Sequence, residues 1–241
     1  PILYVDLCNE FPGDFWSPYF RNDPPWMTWS CWHTDAAMDY MRTAIALVRQ
    51  EYPDLPYCFS FDGENTHFYR ERDLSFFDLA EHHIWMTKLN KQQFYHEVGQ
   101  AKDGRFTEEA YHLLADHALD VYHNKEDYWK QLLVDGIQTL AADAKAAGLP
   151  LATTECWGIT DYKDFPMLPW DWVKDLCARG VETACQTGQW ALMATSNFAA
   201  PQFCGMWRDV AWHQRLTTMI HEAPLPPEAE KTALGRTMRW K

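Results

Sequence analysis

The chain has 241 residues, 47% of them hydrophobic, and a formal charge of 21 − 34 = −13. That size and apolar content suit one domain with a real core and exclude a disordered chain. The acidic balance argues against nucleic acid and anionic membranes as partners, since phosphate binding rests on clustered Lys and Arg, and no apolar run reaches the ~18 residues a bilayer requires. Thirteen Trp stand out; most should fill the core, and a few could offer flat faces to a ligand. The seven Cys show no C-x-x-C spacing, so neither a zinc ribbon nor a redox motif is indicated. Free thiols in a reducing, cytoplasmic compartment are the simplest expectation, and no signal peptide is visible.

In chain order, ILYVDLCNE is apolar and turns polar at its end, as a buried parallel strand does when it finishes in a functional loop. The loop to Trp32 holds Trp16, Trp26 and Trp29, all candidates either for packing or for lining a cleft. Thr34 and Asp35 cap a helix that runs to Pro53. PYCFSFDG is the second strand and SFFDLAEHHIWM the third. A long helical stretch follows, expected as inserted helices over about 91–147, with Gly148 as its C-cap. PLATTECWG is the fourth strand, DWVKDLCARGVETACQTG a helix, and QWALMATSNF the fifth strand. The segment 205–222 reads as helical, and the Pro-rich, charged tail from about 223 to 241 is expected to hang loose.

Strands alternating with helices predict an α/β domain with a parallel sheet, one domain over 1–241. Each strand places polar residues at its C-terminal end: Glu10, Asp62, His83, Glu155 and Asn197. A TIM barrel projects its functional groups from that face. A doubly wound sheet would do the same, but no glycine-rich phosphate loop follows any strand. Only five strand–helix units are countable where a barrel needs eight. The expectation is therefore a chain representing the C-terminal part of a longer polypeptide, or, if complete, a homo-oligomer that covers the exposed sheet edges.

Glu10 and Glu155 occupy equivalent places just past apolar strands. Paired carboxylates there can divide the labour of general acid and nucleophile, or of acid and water-activating base; the alternative for each is a structural ion pair. In this setting VDLCNE resembles the fourth-strand motif of clan A glycoside hydrolases, through Asp6, Asn9 and Glu10. PLATTECWG is similar to their seventh-strand motif, through Thr154, Glu155, Trp157 and Gly158, and DLAEHHIW to the sixth, through Asp78, His83 and Trp85. Within the clan the cellulase-like, sugar-binding proteins are the nearest match.

The resemblance implies a (β/α)8 TIM barrel of which this chain holds strands four to eight with an inserted helical element. It also implies a retaining cleavage of an oligosaccharide or glycoside, with Glu10 as acid/base, Glu155 as nucleophile, and no cofactor. Asn9 would hold a sugar 2-hydroxyl and His83, or its rival His82, would orient a carboxylate. Trp157 would be the stacking platform, with Asp62, Trp85 and Asn197 as further binding residues. Phe198, Phe203 or Trp207 would form an aromatic floor. Two rival readings stand beside this one. The first is a metal-dependent barrel using Glu10, Asp62, His82 or His83, and Glu155. The second is a sugar-binding barrel without turnover.

Overall fold

A computed structural model describes residues 2–12, 27–28, 31–100, 107–160, 167–196 and 208–238. Seven short strand segments, all pairing in parallel, make up five chain passes. β1 (Val5–Asp6) pairs with β2 (Tyr57–Cys58). β3 (Ser60–Asp62) continues β2 past a break at Phe59 and pairs with β4 (Ala80–Trp85). β5 (Leu151–Thr153) and β6 (Cys156–Trp157) form one pass, broken at Thr154 and Glu155, whose two halves both pair with β4. β7 (Trp190–Met193) pairs with β5. Spatial order thus follows chain order, as expected when each strand is returned to the next position by a helical crossover. All five predicted strands are present. The third is shorter than its apolar run, because Phe77 N–H closes a turn on Leu74 O before Ala80 enters the sheet.

The longer helices bury single faces in the main core on one side of this sheet, directly or through one another. α1 (Asp35–Glu51) starts on Thr34, whose hydroxyl accepts from Ala37 N–H, and buries Ala37, Met38, Met41 and Ile45, the i, i+4, i+8 stripe of an amphipathic helix. α2 (Phe68–Glu71) is a single turn after β3. Between β4 and β5 lie α3 (Leu89–Val98), α4 (Glu108–Asn124) and α5 (Glu126–Ala146). α6 (Asp171–Thr187) ends on Gly188 at φ 66° and precedes β7; α7 (Val210–Glu222) packs on α6.

Strand alternation separates the two faces of the sheet. Tyr57, Phe59, Phe61 and Leu151 join the main helix-side core, whereas Cys58, Leu79 and Ala152 form a second apolar cluster. The register places Ser60 beside Glu81, Asp62 beside His83, and Glu81 beside Ala152. That second face therefore changes from apolar at the N-terminal ends of the strands to ionisable at their C-terminal ends.

The tail is not loose where it is described. A 3-10 turn (Pro227–Lys231) leads into α8 (Ala233–Met238), and Leu234 is fully buried in the second cluster. Ala233 N–H donates to Asp78 Oδ1 at 3.0 Å. The apolar bottom of the inner face needs a cover, and burying one Leu there contributes about 1.5–3 kcal/mol. Two turns this short carry no readable periodicity, so the sequence alone concealed the docking.

At Gly180 on α6 helix and strand pack tightly: a Cβ there would lie 2.6 Å from the indole carbons of Trp157. Trp157 is fully buried and has nowhere to go. Gly180→Ala should destabilise the fold by about 1–3 kcal/mol through overpacking, read as a lowered midpoint in urea unfolding with an unchanged slope.

Candidate active site

The C-terminal ends of the strands converge on a cluster of ionisable side chains around His83. Its Nδ1 lies 3.0 Å from Glu10 Oε1 and 3.8 Å from Glu155 Oε2. One carboxylate oxygen from each Glu and a ring nitrogen of His83 all lie within 4.8 Å of one another. Glu10 and Glu155, far apart along the chain, are thus brought together. Glu10 and His83 are buried, and Glu155 is half-buried.

Each carboxylate is delivered by an interruption in regular backbone. Glu10 sits in a turn at φ 50°, a left-handed conformation that costs a non-glycine residue roughly 1 kcal/mol or more. Ser60 holds it there. Its hydroxyl accepts Glu10 N–H at 2.8 Å and its carbonyl accepts Phe11 N–H at 2.8 Å. Ser60 N–H in turn donates to Asp6 Oδ1 at 2.9 Å. Asp6 is therefore a structural clasp for the turn. Glu155 projects from the break between β5 and β6, where its carbonyl accepts Ile84 N–H. The Phe11–Pro12 and Cys156–Trp157 peptides, each one residue past a carboxylate, are cis.

Two more charged groups complete the pocket. Lys88, on the 3-10 turn after β4, forms an ion pair with Asp62 and comes within 4.0 Å of Glu10 Oε1. Asp62 is buried and its Oδ1 has no hydrogen-bond partner. Burial raises the Glu10 pKa, but the His83 hydrogen bond and the Lys88 charge outweigh it and leave Glu10 below its ordinary value. Burial lifts Glu155 and Asp62 above theirs, with Glu10 adding repulsion in both cases. For His83, burial favours the neutral ring, yet the Glu10 hydrogen bond and the charges of Glu155 and Glu81 prevail and raise it.

The remaining expectations divide. His82 does not join the cluster: it points away, with Nε2 2.8 Å from Gly63 O and Nδ1 3.3 Å from Tyr69 O–H. Asn9 is half-buried beside Glu10. Asp78 lies at the other end of β4, binding Arg49, Tyr57 N–H and Ala233 N–H. Trp157 is not an open platform. It is 0% exposed, donates to Ala194 O at 3.0 Å and packs on Gly180. Trp85 is likewise covered and meets the pocket only through Lys88, whose Nζ is 5.7 Å from its ring. Trp32 packs on Phe61 and Phe68. Asn197, Phe198, Phe203, Trp207, Trp16, Trp26 and Trp29 lie outside the described residues. The reading missed Ser60, Lys88 and Glu81.

The metal-dependent alternative fits poorly. Glu10, His83 and Glu155 are close enough to share a cation, but Lys88 already places an ammonium at their edge, engaged by Asp62. His82, the alternative to His83 in that ligand set, faces Gly63 and Tyr69. A resident metal would compete with a fixed positive charge.

Parallel strands in chain order, with a carboxylate–imidazole–carboxylate cluster at their C-terminal ends, define an α/β protein with an ionisable site at one end of its sheet. The chain matches the family described as sugar-binding cellulase-like over residues 1–221 and belongs to it. It is also similar to a crystal structure from Parabacteroides distasonis ATCC 8503 described as a "putative glycoside hydrolase", with a TM-score of 0.91 at 47% identity. That similarity covers 98% of this chain and 63% of the other, so this chain spans less than two thirds of that protein's length. A comparison with curated proteins returns no match. Among the described residues no helix is long and apolar enough to cross a membrane.

The two adjacent histidines provide a check on burial. Burial, with the charge of His83 adding to it and the Gly63 carbonyl opposing, pushes His82 down to about 4. Its folded pKa lies below the unfolded value of about 6.5, so the unfolded state binds the proton more readily between those limits. Stability from His82 is therefore complete above pH ~6.5, falls as pH drops toward ~4, and changes no further below that. The loss is on the order of 3 kcal/mol. Urea unfolding from pH 7 to pH 4 should show this slope in the native chain and a flatter one in His82→Gln.

Proposed function

We propose that this chain carries the catalytic half of a retaining glycoside hydrolase acting on an oligosaccharide or glycoside. The observation that supports it most is that one oxygen of Glu10 and one of Glu155 lie within 4.8 Å of each other, with His83 against both. Retaining enzymes hold their two carboxyls about 5–5.5 Å apart, whereas inverting ones leave about 6.5–9.5 Å for a water. Glu155 attacks the anomeric carbon as the bond to the leaving oxygen breaks, and Glu10 donates its proton to that oxygen. Glu10 then takes a proton from water, whose oxygen displaces Glu155 and frees the sugar. Asn9 holds the 2-hydroxyl, and the Asp62–Lys88 pair offers both an acceptor and a donor to a neighbouring hydroxyl. In the same reading the five passes are strands four to eight of a (β/α)8 barrel, with three further strands joining β1 to β7.

One observation favours a variant of this mechanism with the roles exchanged. In the ligand-free pocket Glu10 has the lower proton affinity and Glu155 the higher, which is the polarity of a Glu10 nucleophile and a Glu155 acid. Covalent labelling separates the two. A panel of 2-deoxy-2-fluoroglycosyl fluorides, followed by peptide mass mapping, should label Glu155. A label on Glu10 would instead establish the exchanged roles.

Glu155→Gln should lose turnover by on the order of 10⁴-fold while still binding sugar. No label, no hydrolysis and retained binding would leave only a carbohydrate-binding function.

A further inference from the structure

β4 carries three consecutive ionisable residues, and alternation divides them. His82 faces away, while Glu81 and His83 share the inner face. Glu81 is 1% exposed. Its Oε1 accepts from Thr154 N–H at 2.9 Å and from Thr154 Oγ1–H at 2.8 Å. Its Oε2 accepts from Tyr4 O–H at 2.5 Å. Among the described residues, the cationic group within ion-pair reach is His83, whose Nε2 lies 3.7 Å from Glu81 Oε1. That separation exceeds a direct hydrogen bond, and the buried Nε2 has no other partner. Burying a carboxylate costs several kcal/mol unless other groups answer its charge. Here no Lys or Arg ion pair does so among the described residues. The imidazole is thus sandwiched, with Glu10 on Nδ1 and Glu81 behind Nε2. Thr154, gripped twice by the same carboxylate, immediately precedes Glu155.

We propose that Glu81 is a positioning residue for both halves of the site: it keeps a proton on each nitrogen of His83, with Nδ1–H aimed at Glu10, and through Thr154 it sets the backbone from which Glu155 projects. The groups facing His83 are Glu10 from the turn after β1, Glu155 from the break between β5 and β6, and Glu81 and His82 from its own strand. Asp62 and Lys88 lie beyond Glu10. His82 is an internal reference, being equally buried on the same strand but without a carboxylate partner. The consequence for catalysis rests on the glycosidase reading; the protonation of His83 does not.

The test is a titration of the imidazole ¹⁵N and ¹H resonances of His82 and His83 in the whole chain. Glu81→Gln keeps the side-chain size and an acceptor for Thr154 but removes the charge. The His83 midpoint should fall by about one pH unit or more, with the remaining amide spectrum unchanged. An unmoved midpoint in a folded variant would overturn the proposal. A second variant covers the case in which Glu81→Gln does not fold. In Glu10→Gln/Glu155→Gln, Glu81 is the nearest anion left to His83, and its midpoint should stay well above that of His82. Convergence of the two histidines would reject the role assigned to Glu81. Because no sugar enters this measurement, its failure is distinct from a failure of the labelling experiment.

Discussion

The site depends on one imidazole answering several buried carboxylates. Glu10, Glu81 and Glu155 all lie within ion-pair distance of His83, and Asp62 is added through Lys88. Acids so close together cannot all ionise cheaply away from bulk water, so their proton affinities separate. The geometry decides how. Glu10 receives the shortest imidazole contact and the lysine, and is the most acidic of the pocket pair. Glu155, at 3.8 Å and without a lysine in ion-pair range among the described residues, keeps its proton longer. Unequal proton affinity across a gap of a few ångströms is the condition for two like residues to take unlike roles.

Such a cluster survives only because the backbone holds it from below. The inner face is apolar at its base, where Cys58, Leu79, Ala152 and Leu234 pack together. Above that lies a layer of hydrogen-bonded polar groups: Asp6 with Ser60, and Glu81 with Tyr4 and Thr154. The reactive groups form the top. The middle layer absorbs the cost of the top one. Ser60 fixes the left-handed turn at Glu10, and Thr154 fixes the break before Glu155. Both carboxylates stand on irregular backbone that a regular strand could not supply, and both irregularities are secured by an acidic side chain deeper in the sheet.

This layering explains what could be read from the sequence. Strand ends were legible because a buried parallel strand is apolar until it leaves the sheet, so Glu10, Asp62, His83 and Glu155 announced themselves as exceptions. Glu81 was missed but legible in principle: the two-residue period puts it on the same face as His83. Trp157 was not legible. Counted from Glu155 it would have faced the cluster, but its ring lies with Leu151 in the helix-side core and packs on Gly180, while Glu155 leaves the sheet at the break. Lys88 lies on a 3-10 turn, where no strand or helix period predicts direction. The docking of residues 226–238 depends on Leu234 finding a tertiary hole, which has no local signature.

Within the proposed mechanism, the motif and the local field differ over which carboxylate would attack, and their energies show why both can hold. A tenfold bias in where a proton rests corresponds to about 1.4 kcal/mol, whereas enzymes lower barriers by about 8 kcal/mol or more. The resting position of the proton is therefore a weak constraint on the reaction path. The strong constraint is which oxygen faces the anomeric carbon and which faces the leaving group, and that is set by backbone. Glu10 is fixed by Ser60 and Glu155 by Thr154, so neither can exchange place with the other. His83 contacts both carboxylates and can rebalance charge between them as a substrate displaces water. An imidazole that stays protonated does this without moving, which is what a carboxylate buried behind its far nitrogen would secure.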